Sequence, residues 1–187
     1  SDYQVADLGL QLGGTYQNYA YDSTPLIDAA PLSNDDRNHN NYSGFAKASY
    51  QLSPDYSLYV QGSYEDRAYD LHVDRYGFDR NSTGYILNVG SKFTLSNLID
   101  GDVFAGYEQE LYHGLLPNVG GLDFGGDVHW YATELITVNL IASHDIVDTV
   151  LPSESASNNQ TLTLDVDYEL LRNLILQAAF TYLNSRY

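Results

Sequence analysis

The sequence predicts an all-β fold, an antiparallel up-and-down transmembrane β-barrel, on three observations: polar and apolar residues alternate at period 2, the connections sort into short and long, and aromatic residues gather at the ends of the alternating stretches. A strand points successive side chains to opposite faces, so strict alternation gives one apolar and one wet face. At 187 residues the chain needs only a single domain, 1–187.

The first strand sets Leu8, Leu10, Leu12 and Tyr16 against Gln11, Thr15 and Gln17. The second, residues 42–52, sets Tyr42, Ala46, Ala48, Tyr50 and Leu52 against Ser43, Lys47, Ser49 and Gln51, with Phe45 against the pattern. In the third, 56–67, Leu58, Val60 and Tyr64 oppose Ser57, Gln61, Ser63, Glu65 and Arg67. In the fourth, Tyr85, Leu87, Val89, Phe93 and Leu95 oppose Asn88, Lys92 and Thr94. The fifth, 103–112, is less regular: Val103, Ala105, Tyr107 and Leu111 stand against Glu108 and Glu110. The sixth places Leu122, Phe124, Val128 and Trp130 opposite Asp123, Asp127 and His129. The seventh places Ile136, Val138, Leu140 and Ala142 opposite Thr137, Asn139, Ser143 and Asp145, with Ile141 the exception.

The eighth, 161–170, is the cleanest, with Leu162, Leu164, Val166, Tyr168 and Leu170 on one face and Thr163, Asp165, Asp167 and Glu169 on the other. Three carboxylates on one face require water there. The ninth, 174–182, carries Leu176, Ala178, Phe180 and Tyr182 on its apolar face.

Short turns near residues 53–55, 96–101, 132–135 and 171–173 alternate with long polar segments at 22–41, 70–84, 113–121 and 147–160. Short turns on one side and long loops on the other is the arrangement of bacterial outer-membrane barrels, whose short side faces the periplasm. Tyr16, Tyr50, Tyr64, Tyr85, Tyr107, Trp130 and Tyr168 are the expected aromatic girdle, because an amphipathic ring suits the headgroup zone. The competing explanation is the high β-propensity of tyrosine in any sheet.

Composition removes several classes of function. No stretch of 18 or more apolar residues occurs, which excludes a membrane-spanning helix but not a barrel. A mean hydropathy of −0.32 is compatible with strands that bury one face in lipid. A net charge of −17 with only eight Lys and Arg leaves no basic patch for nucleic acid. Without Cys there is neither a disulfide framework nor a thiolate metal site, and no cofactor is expected. The chain opens at Ser1 with no basic or apolar leader, so an export signal is expected to have been removed or to lie upstream.

Three groups of residues bear on chemistry. Ser143, His144 and Asp145 are consecutive in a strand, so His144 points away from its neighbours and the three cannot converge as nucleophile, base and orienter; the protein is expected not to be an enzyme. The acidic loop residues Asp28, Asp35 and Asp36, and Asp70, Asp74 and Asp79 with His72, offer oxygen ligands, but in no spacing that defines a calcium loop. They read as solvated, with no metal. On the wet strand faces, Glu65, Glu108, Glu110, Asp123, Asp127, Asp165, Asp167 and Glu169 outnumber Lys47, Arg67 and Lys92. If that face lines a lumen, the lumen favours cations or repels anions; the alternative is a hydrogen-bonded plug that conducts nothing.

Several stretches resemble a known family in order and spacing: Phe78-Asp79-Arg80-Asn81-Ser82-Thr83-Gly84-Tyr85, Phe104-Ala105-Gly106-Tyr107-Glu108-Gln109, Trp130-Tyr131-Ala132-Thr133 and Tyr168-Glu169-Leu170-Leu171-Arg172-Asn173. Over residues 42–187 the chain looks like the putative beta-barrel porin 2 family, Gram-negative outer-membrane proteins often encoded beside exopolysaccharide genes. Ala132 stands where that family leads one to expect Pro, which bears on turn stiffness only. Members are considerably longer, and a count of nine strands is odd where such barrels use even numbers, so the chain is expected to be a fragment of a longer protein.

The expected function is therefore an outer-membrane channel, porin-like, for exopolysaccharide export or small-solute diffusion. The alternative is a structural or adhesive outer-membrane barrel with a closed lumen and partner-binding loops. Expected partners are outer-membrane lipid and polysaccharide or small solutes; substrate and oligomeric state are not legible in the residues.

Overall fold

A computed structural model describes residues 2–5, 7–26, 29–148 and 156–186. Ten antiparallel strands form one sheet in the order β1 (Asp2–Val5), β2 (Leu8–Tyr19), β5 (His39–Ser53), β6 (Tyr56–Tyr69), β7 (Ser82–Leu95), β8 (Ile99–Tyr112), β9 (Val119–Thr133), β10 (Ile136–Asp148), β11 (Ala156–Leu171) and β12 (Leu174–Arg186). Each strand pairs with its sequence neighbours, apart from a two-stranded excursion of β3 (Thr24–Leu26) and β4 (Ala29–Leu32) in the connection between β2 and β5. The architecture is up-and-down; β1 and β12 are its edges, and among the described residues no pairing joins them.

The nine alternating stretches become β2 and β5 to β12. The strands outrun the apolar pattern at the loop end, because a hydrogen-bonded ladder needs backbone and not apolar side chains: His39 to Asn41 pair with Arg67 to Tyr69, beyond the last apolar residue. For the same reason Gly84, Ile99 to Gly101 and Val119 to Gly121, expected in connections, lie in strands. Of the expected loop at 147–160, residues 149–155 fall outside the described ones.

At the β7–β8 turn, Ser96 and Asn97 take φ of 50° and 56°, and Leu98 N–H donates to Leu95 C=O at 3.0 Å. Left-handed backbone at both central residues of the turn matches the twist of the flanking strands and reverses the chain within the three residues between them.

On four of the strands the apolar face has the same height. Its limits are Leu8 and Tyr16 on β2, Tyr56 and Tyr64 on β6, Ile99 and Tyr107 on β8, and Leu122 and Trp130 on β9, each pair eight positions apart. That is about 26 Å along a strand at ~3.3 Å per residue, the reach of a tilted strand across a bilayer core. Beyond the loop-side limit the outward position turns polar or small: Asn18, Asp66, Gln109 and Gly120. Most of the large apolar side chains on this face are exposed, among them Leu10, Leu87, Leu122 and Phe180. The buried side chains are almost all on the opposite, polar face or in the loops above it, including Tyr59, Asn88, Glu108 and Asp123.

Candidate functional site: the polar face

The strand register places Lys47, Glu65, Arg67, Lys92, Glu108, Glu110, Asp123, Asp127, Asp165, Asp167 and Glu169 on one face, as the alternation requires. The face is concave between β2 and β9, because a cavity of about 870 Å³ at the turn end is lined from Gly9 and Gln11 on one side to Asp127 and His129 on the other. Tyr16, Tyr64, Tyr85 and Tyr107 lie on the apolar face at its loop-side limit, and Tyr50, Trp130 and Tyr168 on the same face towards the turns.

Curvature needs room on the inner side, and glycines in register with large residues supply it. Tyr59 on β6 lies flat across Gly90 of β7, where any Cβ would overlap its ring, and its hydroxyl donates to Asp102 Oδ1 on β8 at 2.6 Å. The ammonium of Lys47 sits 3.4 Å from the centre of the same ring, within cation–π range. One strand further, Asn88 lies across Gly106 and its amide donates to Asp123 Oδ2 at 2.6 Å. Phe45 fills the space beside Gly13, which accounts for its break from the polar pattern.

Two ionic groupings divide the face. At the turn end, His129 lies between Asp100 Oδ2 (3.1 Å from Nδ1) and Asp127 Oδ1 (3.2 Å from Nε2), and Lys92 Nζ stands 3.8 Å from Asp102. Towards the loop end, Arg67 joins Glu65 at 2.8 Å and Glu110 at 3.9 Å. The rings of Tyr19, His39 and Tyr69, in register on β2, β5 and β6, stack with centres 4.6 and 4.8 Å apart.

Asp36 and Asp74 are not the solvated carboxylates expected, whereas Asp35, Asp70 and His72 are exposed as expected. Arg75 in the β6–β7 connection reaches Asp36 in the β2–β5 connection through both carboxylate oxygens, with Nε donating to Oδ2 at 2.6 Å, and also donates to the Ser33 carbonyl at 2.7 Å. Asp74 is buried against Arg80 Nε at 2.7 Å and accepts the Tyr76 and Phe78 N–H groups. The Arg75 hydrogen bond holds the Asp36 carboxyl below the usual carboxylate range. For Asp74 burial pushes the other way, but the N–H groups of Phe78 and Tyr76 and the Arg80 guanidinium together outweigh it. These oxygens are taken by arginine and backbone; Asp28 lies outside the described residues.

Ser143 and Asp145 face the polar side, while His144 faces the apolar side, stacked on Phe124 at 4.7 Å. The three do not converge. The sequence reading missed Tyr59, Asp100 and Asp102 on the polar face and the loop arginines 37, 75 and 80. An aromatic on the polar parity opposite an in-register glycine is the signal that finds Tyr59; the loop arginines pair across distant segments and leave no local pattern.

A sheet that alternates a charged concave face with an apolar face of bilayer height defines the wall of a membrane β-barrel. The family comparison agrees: the description "putative beta-barrel porin 2" matches residues 2–187, and the chain belongs to that family. No curated protein and no solved structure matches the chain.

Proposed function

We propose that the protein is a non-enzymatic bacterial outer-membrane channel whose polar face lines a lumen and passes polysaccharide or small solutes. The observation that carries this reading is the concave polar face itself, which stays charged from turns to loops and leaves about 870 Å³ open between β2 and β9. A wall held only by lipid would not require carboxylates along its inner face, since each needs water or a partner. The excess of Asp and Glu there favours cations. Short turns against long loops support a periplasmic turn end and an external loop end.

A second reading is supported by the side chains that lie flat across the face, Tyr59 and Asn88, and by the ion-paired loops. On that reading the lumen is closed and the loops bind partners. Conductance of the folded protein in planar bilayers separates the two. Steady, cation-selective steps are expected from the channel; silence from protein that shows heat-modifiable gel mobility would overturn it and leave the closed barrel.

A further inference from the structure

Four of the eight basic residues of this strongly acidic chain line one cavity. It holds about 390 Å³ at the loop end of the polar face, under the first two long connections, with Arg37, Arg67, Arg75 and Arg80 in its walls and only Asp36 and Asp74 as carboxylates. Tyr19, Tyr21, Tyr69 and Tyr76 complete most of the lining, and Tyr76 is 57% exposed.

The arginines are not equivalent. Arg75 and Arg80 hold Asp36 and Asp74, and Arg67 holds Glu65, so these three shape the wall. The Arg37 guanidinium lies over the Tyr21 ring at 5.0 Å, and among the described residues no carboxylate pairs with it. Stacking on an aromatic face leaves the N–H fork in the guanidinium plane open to a planar anion.

We propose that this cavity is a subsite for an acidic saccharide, a sugar ring that carries a carboxylate. The guanidinium takes the carboxylate, and tyrosine rings take the C–H face of the sugar. A bare inorganic anion uses only the first of these contacts, and a neutral sugar lacks it. The proposal deepens the channel reading and takes from it only that the loop end is an entrance.

The test is titration of the folded protein in detergent with tetragalacturonate, maltotetraose and inorganic phosphate, followed by calorimetry, with bilayer conductance measured in parallel. Tetragalacturonate is expected to bind at least tenfold more tightly than maltotetraose, and phosphate at equal concentration is expected not to displace it. Arg37→Gln is expected to weaken binding tenfold or more; Tyr76→Ala tests the aromatic wall in the same way, and Arg172→Gln in the exposed β11–β12 turn is expected to leave the affinity unchanged. Gel mobility verifies that each variant is folded. Equal affinity for the neutral sugar, displacement by phosphate, an unchanged Arg37→Gln or no binding overturns the subsite. Binding without conductance keeps the subsite and overturns the channel.

Discussion

At the loop end of the polar face, Arg37, Arg67, Arg75 and Arg80 surround their cavity with two aspartates; at the turn end, Lys47 and Lys92 share the larger one with Asp7, Asp55, Asp100, Asp102 and Asp127. The two ends also hold their charges differently. The two aspartates of the loop-end cavity are fixed by several donors each, as Asp74 is by Arg80, Tyr76 and Phe78. At the turn end the tightest contact is the 2.6 Å hydrogen bond from Tyr59 to Asp102, and the cation nearest that carboxylate, Lys92, stands 3.8 Å away. A net charge of −17 is therefore unevenly spread: one end is organised by guanidinium pairing, the other by packing across glycine, with loosely held charge around it.

The largest effect is expected where that packing is broken. Gly90→Val places a branched side chain where the Tyr59 ring lies, which separates the hydroxyl from Asp102 and the ring from Lys47. Overpacking of this kind costs about 1–3 kcal/mol, read as a lower urea midpoint for loss of the heat-modifiable band. Gly62→Val, on the apolar face, is the control for the substitution itself, since a Cβ there meets nothing within 4 Å, and its midpoint is not expected to fall. Equal losses in both variants would mean that the sheet rejects a branched side chain at either glycine regardless of overlap, and that the turn end is not held by Tyr59.

How much of this was legible in the residues follows from range. The nine long strands were legible because period-2 alternation is written locally. The four-residue β1 and the β3–β4 excursion are too short to alternate. The charged residues of the polar face followed from parity. Their partners did not: Arg75 and Asp36 are 39 residues apart in sequence, and Tyr59 reaches Asp102 across a strand that lies between them. Charge counted along the chain reports the acidic excess and hides the basic cavity, since its arginines come from two loops and a strand.

A smaller effect is expected at the loop end, and it depends on pH. The Asp36 and Asp74 carboxyls are held below their ordinary value in the folded state. Their contribution is therefore complete above the unfolded pKa of about 3.9 and is lost as pH falls through the lower folded value. Hydrogen exchange of the 20–38 and 70–81 segments is expected to hold steady from pH 7 to about 4, after correction for intrinsic exchange rates, and to accelerate below that. Arg75→Ala should release the 20–38 segment to protease at neutral pH. Protection that does not change below pH 4, or an Arg75→Ala protein as resistant as the parent, would show that the loops are held by something other than these pairs.

The smallest effect is expected from Lys92→Gln. Lys92 is 61% exposed at its side chain and stands 3.8 Å from Asp102, and exposed ion pairs at such distances contribute from nothing to about 1 kcal/mol. The urea midpoint should therefore move by less than about 0.5 kcal/mol equivalent, well below the shift from Gly90→Val. That ordering is what the contrast between the two ends requires, because it assigns the turn end to packing and leaves its charges free to act on solutes. If Lys92→Gln costs as much as Gly90→Val, both ends are held by charge, and the difference between them is only one of sign.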